Sequence, residues 1–364
     1  MKKYKVGVLG ATGVVGQRFV SLIEKHPWFE LCVVAASAGS AGKTYEDAVS
    51  HRWTLPGNHN AATGKLIVRD VSNDIKSIAG DVDFVFSAVD MEKEQVYLLE
   101  EAYAKAECPV VSNNGSHRQT PDVPMIIPEV NPHHSEVIYS QRKRLGSKRG
   151  FIAVKSNCSI QSFVPVLHPI REAFGLVKVL ACTYQSISGA GKTFETWPEM
   201  IDNVIPFIKG EEEKTENEPL KIWGKVDNGV IKSAVLPKIT AQCLRVPTTE
   251  GHMAAVFMSL ADKVDMDSLK ALLCNYNGQP QLRGLPSAPK NVLRYFEEED
   301  RPQTKLDRDL ESGMSVSIGR LRHDTQYDYK FIGLSHNTIK GAAGGAVLLA
   351  ELLCTQGFIV PGGS

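Results

Sequence analysis

The sequence predicts an α/β chain of two domains, the first a Rossmann-type dinucleotide-binding domain. Three observations carry this. The 364 residues are more than one small core serves. A glycine-rich turn, Gly10-Ala11-Thr12-Gly13-Val14-Val15-Gly16, joins the first apolar strand to the first helical pattern. Strand-type and helix-type segments then alternate up to about residue 156, the pattern of a parallel sheet covered by helices.

The elements follow in order. Tyr4–Leu9 alternates toward a buried strand, and Phe19, Val20 and Ile23 give helical spacing after the turn. Glycines between a first strand and first helix let the backbone approach a pyrophosphate, which the helix N-terminus attracts. Gly10, Thr12, Gly13, Val14 and Val15 are therefore candidate cofactor residues. The second strand, Leu31–Ser37, ends without the acid that bonds a ribose 2′-hydroxyl in NAD sites. Ser37, Ser40 and Lys43 stand there instead and suit a 2′-phosphate, so NADP is expected over NAD. Val82–Val89 and Pro109–Gly115 read as further strands around a helix at Glu92–Lys105. Their small polar ends, Ser87-Ala88 and Asn113-Asn114, fall where an open α/β sheet binds ligands. The basic stretch Gln141–Gly150 has no interleaved aromatic platform and reads as a solvated connecting loop.

Phe151–Val154 is a strand that leads into Ser156-Asn157-Cys158-Ser159-Ile160, and helical spacing resumes at Phe163, Val166, Leu167 and Ile170. This puts Cys158 near a helix N-terminus, where the dipole favours the nucleophilic thiolate. Beyond it the pattern changes to long strands: Val177–Ser188, Ile239–Val246, His252–Leu260, Met314–Leu321 and Tyr329–Leu334. Ser188-Gly189-Ala190-Gly191 is a turn suited to lie against a cofactor. It is not part of a P-loop, because Ser186 stands where that motif needs glycine. Gly210–Lys214 opens a charged helix, Asp265–Cys274 is a short amphipathic helix, and Glu297–Gly313 reads as an acidic loop. Asn337–Lys340 leads into a small-residue helix, Gly341–Leu353. Among ten histidines, His252, at a strand start seven residues after Arg245, is the best base for Cys158; His133-His134 has no further ligand spacing to make a metal site.

Composition sets the outer bounds. Lys+Arg and Asp+Glu are both 41, which argues against a nucleic-acid or membrane-surface partner. Seven scattered cysteines imply a reducing compartment, and no apolar run reaches a membrane span, so a cytoplasmic protein is expected.

In order along nearly the whole chain, GATGVVG, NNGSHR, SNCSI, QSISGAGK, GEEEK, RVPTTEGH and HNTIKGAAGGA resemble the aspartate-β-semialdehyde dehydrogenases of archaeal and fungal type. Ile160 departs from the threonine expected after C-S. The resemblance implies a glyceraldehyde-phosphate-dehydrogenase-like fold: an NADP-binding domain of residues 1–156 and 337–364, and an α+β catalytic and dimerisation domain of residues 157–336 with a largely antiparallel sheet. It implies NADP-dependent reductive dephosphorylation of L-4-aspartyl phosphate to aspartate 4-semialdehyde, in lysine, threonine and methionine biosynthesis. It assigns Cys158 as acylated nucleophile, His252 as acid/base and Gln185 as the residue that orients the intermediate. Asn157 matches the residue before the nucleophile. Arg245 would grip the substrate carboxylate, and Arg118 with Lys214 the phosphate. Among three consecutive glutamates, Glu211 best fits the substrate amine. Asn337 falls with the cofactor residues, no metal is expected, and the expected assembly is a homodimer or homotetramer. The rivals are another phosphorylating aldehyde dehydrogenase, such as an N-acetylglutamyl-phosphate reductase, and a non-catalytic NADP-binding sensor.

Overall fold

The computed structural model describes residues 3–55 and 57–362. Met1, Lys2, Pro56, Gly363 and Ser364, which the sequence-based domain division includes, lie outside the described residues. The first half builds a seven-stranded sheet from β1 (Tyr4–Leu9), β2 (Phe29–Ala36), β3 (Arg69–Asp70), β4 (Phe84–Ser87), β5 (Val110–Ser112), β6 (Met125–Ile126) and β7 (Ile152–Lys155). Their order is β3-β2-β1-β4-β5-β7-β6, with every ladder parallel. Strands buried on both faces need continuous apolar runs, and β1, β4 and β7 have them. The order reverses at β1, which pairs with β2 on one side and β4 on the other. A crevice opens beyond the carboxyl ends of strands at such a point.

Helices α1 (Val14–Glu24), α2 (Lys93–Lys105) and α3 (Ile138–Leu145) pack around this sheet. The helix α3 corrects the reading of Gln141–Gly150 as a loop over Gln141–Leu145; from Gly146 to Gly150 the chain is a connecting loop, as read. Ile138, Gln141 and Leu145 are buried along one side. The guanidinium of Arg142 lies over the rings of Phe151 and Phe358, at 5.3 and 5.9 Å, so the long basic stems cover apolar surface. Gly146, at φ +69°, ends the helix in the left-handed conformation that glycine adopts without strain.

After α4 (Val164–Phe174), β8 (Leu176–Gln185) opens a second sheet. Helix α5 (Glu211–Ile222) and the hairpin β9 (Lys225–Asp227) and β10 (Val230–Lys232) intervene. Then come β11 (Lys238–Arg245), β12 (His252–Leu260), helix α6 (Met266–Cys274), β13 (Leu293–Tyr295), β14 (Val316–His323) and β15 (Tyr329–Ser335). The sheet order is β11-β8-β12-β15-β14-β13; the two outer ladders are parallel and the three inner ones antiparallel. Burial alternates along β8 and β12, with Leu180, Cys182, Tyr184, Met253, Ala255 and Phe257 half-buried on one face. Glu297–Gly313, read as a loop, contains short helical turns at Thr304–Asp307 and Leu310–Gly313. They form around Asp307, a buried carboxylate paired with Arg301.

The chain ends on α7 (Gly344–Thr355), preceded by a π turn at Ile339–Ala343. Helix α7 is buried all round and packs against β5, β7 and α1 of the first sheet. Its one carboxylate, Glu351, is matched by His26 Nε2 at 2.7 Å and by the Ser287 amide.

Candidate active site

The glycine turn bends as a phosphate cradle requires. Gly10 has φ +80°, and a Cβ there would stand 2.3 Å from the Ala88 carbonyl, so only glycine fits. Gly13 caps α1, and a Cβ there would meet only the Gly10 carbonyl, at 3.6 Å. Val14 and Val15 begin that helix. A cleft of about 490 Å³ opens over the turn, lined by Gly10, Thr12, Gly13, Ser37, Ala88 and Asp70. A neighbouring one of about 320 Å³ is lined by Ser37, Ser40, Lys43 and Arg52. Arg52 lines both clefts, and the sequence reading missed it because it lies outside the strand-turn-helix motif. Asp70, an acid close to Ser37, has its carboxylate occupied by the amides of Ser72 and Asn73. Together the two clefts fit a dinucleotide carrying an extra phosphate.

Other expected cofactor residues lie deeper. Ser87 is fully buried and accepts from Asn114 Nδ2 at 3.1 Å. The Asn113 carbonyl accepts from Arg118 at 3.1 Å. The Asn337 amide bonds Gly251 and Ser188 at 2.8 and 2.9 Å, which ties the turn after β8 to the start of β12. Ser188, Gly189 and Gly191 form that turn.

Cys158 heads a 3₁₀ turn, Ser159–Ser162, and the α-helix begins only at Val164. This corrects the expectation of a thiol lowered by a helix dipole. Burial pushes the Cys158 thiol up, with Glu211 adding to the rise, while Lys155, Arg118 and Arg245 oppose it. Asn157 shapes the turn. Its Oδ1 accepts from the Ser159 amide at 2.7 Å, and its Nδ2 donates to both oxygens of Glu211 at 3.1 Å. Gln185 Nε2 reaches the same carboxylate at 3.2 Å, and Lys214 Nζ pairs with it at 2.7 Å. Of the three glutamates, Glu211 is therefore the one turned toward Asn157; Glu212 instead accepts from Gln242. Burial opposes the ionised form of Glu211, but Lys214, Gln185 and Asn157 together outweigh it and hold the carboxyl below its ordinary range.

Arg245 and Gln185 end adjacent parallel strands in register. Arg245 Nη1 donates to the Ser186 carbonyl at 2.8 Å. The Ser186 amide donates to His252 Nδ1 at 3.1 Å. With Nδ1 accepting, the proton of the neutral ring sits on Nε2, and Nε2 is buried without a hydrogen-bond partner among the described residues. Burial, then the neighbouring Arg245, pushes His252 down to about 3, so it stays neutral across the working range. A Cβ on Gly189 would come 2.8 Å from Arg245 Nη1 and 2.9 Å from His252 Nε2, which places this glycine directly over both.

Arg118 donates to Glu218 at 3.0 Å and to the Lys155 carbonyl at 3.0 Å. It lines a cleft of about 700 Å³ with Lys214, Glu218 and Asn114. Cys158, His252 and Arg245 are not in its wall. Glu218 connects the two regions, since its other oxygen accepts from the Asn157 amide at 2.6 Å. Sequence reasoning missed Glu218, which the fold brings to Asn157 from 61 residues away, and Ser186 and Lys155, which lie close to Gln185 and Cys158 in the chain but carry no motif of their own. The predicted non-site His133-His134 is ordinary packing at its second member: His134 bonds Asn131 and the Gly224 carbonyl.

Two family models divide the chain: semialdehyde dehydrogenase NAD binding domain over residues 5–138, and semialdehyde dehydrogenase dimerisation domain over residues 167–340. Fold and site thus define a two-domain semialdehyde dehydrogenase. An aspartate-semialdehyde dehydrogenase of Methanothermobacter thermautotrophicus is 42% identical over 96% of this chain and 98% of its own. One of Aspergillus fumigatus is 40% identical over 98% of this chain and 99% of its own. Among solved structures, the aspartate semialdehyde dehydrogenase with NADP of Candida albicans superposes with TM-score 0.88 at 36% identity, over 98% of this chain and all of that one (100%). This chain belongs to the aspartate-semialdehyde dehydrogenase family.

Proposed function

We propose that the chain catalyses NADP-dependent reductive dephosphorylation of L-4-aspartyl phosphate to L-aspartate 4-semialdehyde, through a thioester on Cys158. The observation that carries the site assignment is the convergence of Glu211, Asn157 and Gln185 beside Cys158, with Arg245 and His252 joined through Ser186. The Cys158 thiolate attacks the acyl carbon, and phosphate leaves toward Arg118 and Lys214. Arg245 offers a planar fork to the α-carboxylate, and Glu211 takes the ammonium. Gln185 and Asn157 hold the acyl group in line. NADPH, when bound, supplies a hydride to the thioester carbon. His252 Nε2–H donates a hydrogen bond to the oxygen on which charge develops, and as the C–S bond breaks that charge passes to sulfur, releasing the aldehyde and the Cys158 thiolate.

The 2′-phosphate is assigned to Ser37, Ser40, Lys43 and Arg52, and the pyrophosphate to Gly10, Thr12, Gly13, Val14 and Val15. Residues 1–156 with 337–364 form the cofactor domain, and 157–336 the catalytic and dimerisation domain; the packing of α7 on β5 and β7 supports this division. The protein is a homo-oligomer, dimer or tetramer, acting on small molecules; the half-buried apolar face of β8 and β12 supports a subunit contact there. No helix among the described residues is long and apolar enough to cross a membrane, and a cytoplasmic location fits the pathway.

Steady-state kinetics in the oxidative direction test the assignment, with semialdehyde, phosphate and NADP varied. Lys214→Ala and Arg118→Ala should raise the KM for phosphate more than that for semialdehyde. An unchanged KM for phosphate in both would leave Lys214 and Arg118 as partners of Glu211 and Glu218 alone.

A further inference from the structure

The carboxylate assigned to the substrate ammonium is already full. A carboxylate offers about four lone-pair sites. On Glu211, Asn157 Nδ2 reaches both oxygens at 3.1 Å, Lys214 Nζ takes Oε1 at 2.7 Å, and Gln185 Nε2 takes Oε2 at 3.2 Å. A substrate ammonium therefore has to displace one of these donors.

The three are not equally held. Asn157 and Gln185 are buried. Asn157 Oδ1 also accepts from the amide and the hydroxyl of Ser159, both at 2.7 Å, and Gln185 Nε2 also donates to Thr183 Oγ1 at 3.3 Å. The Lys214 side chain, by contrast, is 44% exposed, and Glu211 is its one hydrogen-bond partner among the described residues. Exchange of the lysine ammonium for the substrate ammonium is charge for charge. It leaves the buried carboxylate paired, which displacement of Lys214 by a neutral group would not.

Helix α5 sets where the displaced lysine goes. Lys214 stands three residues after Glu211 and four before Glu218, so the three share one face. Glu218 is committed: one oxygen accepts from Arg118 at 3.0 Å and the other from the Asn157 amide at 2.6 Å. Lys214 and Arg118 line the same cleft of about 700 Å³, and Glu211 is not in its wall. A phosphate entering that cleft brings roughly two negative charges, and the guanidinium it meets is already paired with Glu218. A free ammonium one helical turn away from Glu218 supplies the missing charge.

We propose that Lys214 is an exchangeable occupant of the amine site: the substrate ammonium takes its place on Glu211 and sends it to the phosphate. This rests on Glu211 holding the amine and Arg118 the phosphate. A substrate without an ammonium leaves Lys214 on Glu211 and meets a phosphate site one cation short. By linkage, phosphate tightens the binding of the amine by the same factor that the amine tightens phosphate. Lys214 thus makes the α-amine a condition for good phosphate binding, beyond its own contact with Glu211.

The test uses the native protein in the oxidative direction with NADP. Aspartate semialdehyde is compared with succinate semialdehyde, which carries hydrogen in place of the ammonium. The KM for phosphate should be about fivefold or more higher with succinate semialdehyde, and Lys214→Met should make the two values equal. Calorimetry reads the same coupling without turnover. At a concentration that competes with aspartate semialdehyde, L-2-aminobutyrate should tighten the binding of inorganic phosphate to the native protein with NADP by that factor, and butyrate should not. Equal phosphate constants with the amine-bearing and amine-free compounds would overturn the proposal, and this measurement needs no variant to fold. So would a difference that survives in Lys214→Met. A native protein that does not reduce NADP with aspartate semialdehyde and phosphate would overturn the functional reading itself, a result distinct from either.

Discussion

Replacing Gly189 by alanine adds one methyl over the paired Arg245 and His252. Gly189 does not have a left-handed φ, so alanine introduces no backbone strain and the change tests space alone. The new Cβ would lie 2.8 Å from Arg245 Nη1 and 2.9 Å from both Cε1 and Nε2 of His252, inside any real contact distance. The imidazole is fixed through Nδ1 to the Ser186 amide, and the guanidinium through Nη1 to the carbonyl of the same residue. Relief therefore moves the Ser188–Gly191 turn or the ring by some tenths of an ångström to about 1 Å. Misplacement by about 1 Å costs on the order of a hundredfold in rate, about 2.7 kcal/mol. We expect kcat/KM for semialdehyde to fall by that factor, with Tm nearly unchanged because Gly189 is exposed. Stopped-time NADPH formation with thermal melting reads both. A variant with full kcat/KM would refute the claim that this turn lies over the acid/base.

Arg245→Lys keeps the charge and loses the fork, so kcat/KM should fall roughly ten- to a thousandfold, about 1.4–4 kcal/mol; normal kinetics would remove Arg245 from the carboxylate site. Ser37→Asp places a negative charge in the wall shared by both clefts, and the ratio of kcat/KM for NADP over NAD should drop; an unchanged ratio would move the 2′-phosphate elsewhere. Glu250 links α1 to the last helical run, through Arg18 at 3.1 Å and Thr338 at 2.8 Å. Burial would raise its carboxyl, but His336, Thr338 and Arg18 outweigh that and hold it at about 2. A carboxyl lowered on folding stabilises above its unfolded range, and that stability is lost as pH falls toward 2. Denaturant melts of Glu250→Gln should show a deficit on the order of 3 kcal/mol near pH 6 that closes toward pH 2; a deficit independent of pH would contradict the ion-pair account.

Much of this was legible in the sequence because it is local. A glycine turn between strand and helix, small polar residues at strand ends and a change to long alternating strands each lie within one stretch of chain. The loop proposed to react was singled out in the sequence too, but its electrostatics were not. The helix-dipole reading of Cys158 placed it near an α-helix N-terminus, whereas a 3₁₀ turn, held by the bond from the Ser159 amide to Asn157 Oδ1, follows it and the thiol is ruled by burial and Glu211. The first half of the segment Gln141–Gly150 was misread because its basic residues mask the buried positions Gln141 and Leu145, which continue a helix begun at Ile138. Glu218, Ser186 and Lys155 carry no local pattern. Glu218 reaches Asn157 across 61 residues and Ser186 reaches His252 across 66, separations that only the fold closes.

The central claim is that Cys158 forms the acyl bond. Cys158→Ser substitutes a hydroxyl that is far less ionised and a poorer leaving group from the acyl intermediate. The direct measurement is kcat/KM in both directions for this variant, beside its Kd for NADP. The account predicts less than about one per cent of wild-type turnover with an unchanged Kd; turnover within roughly tenfold of wild type would contradict it.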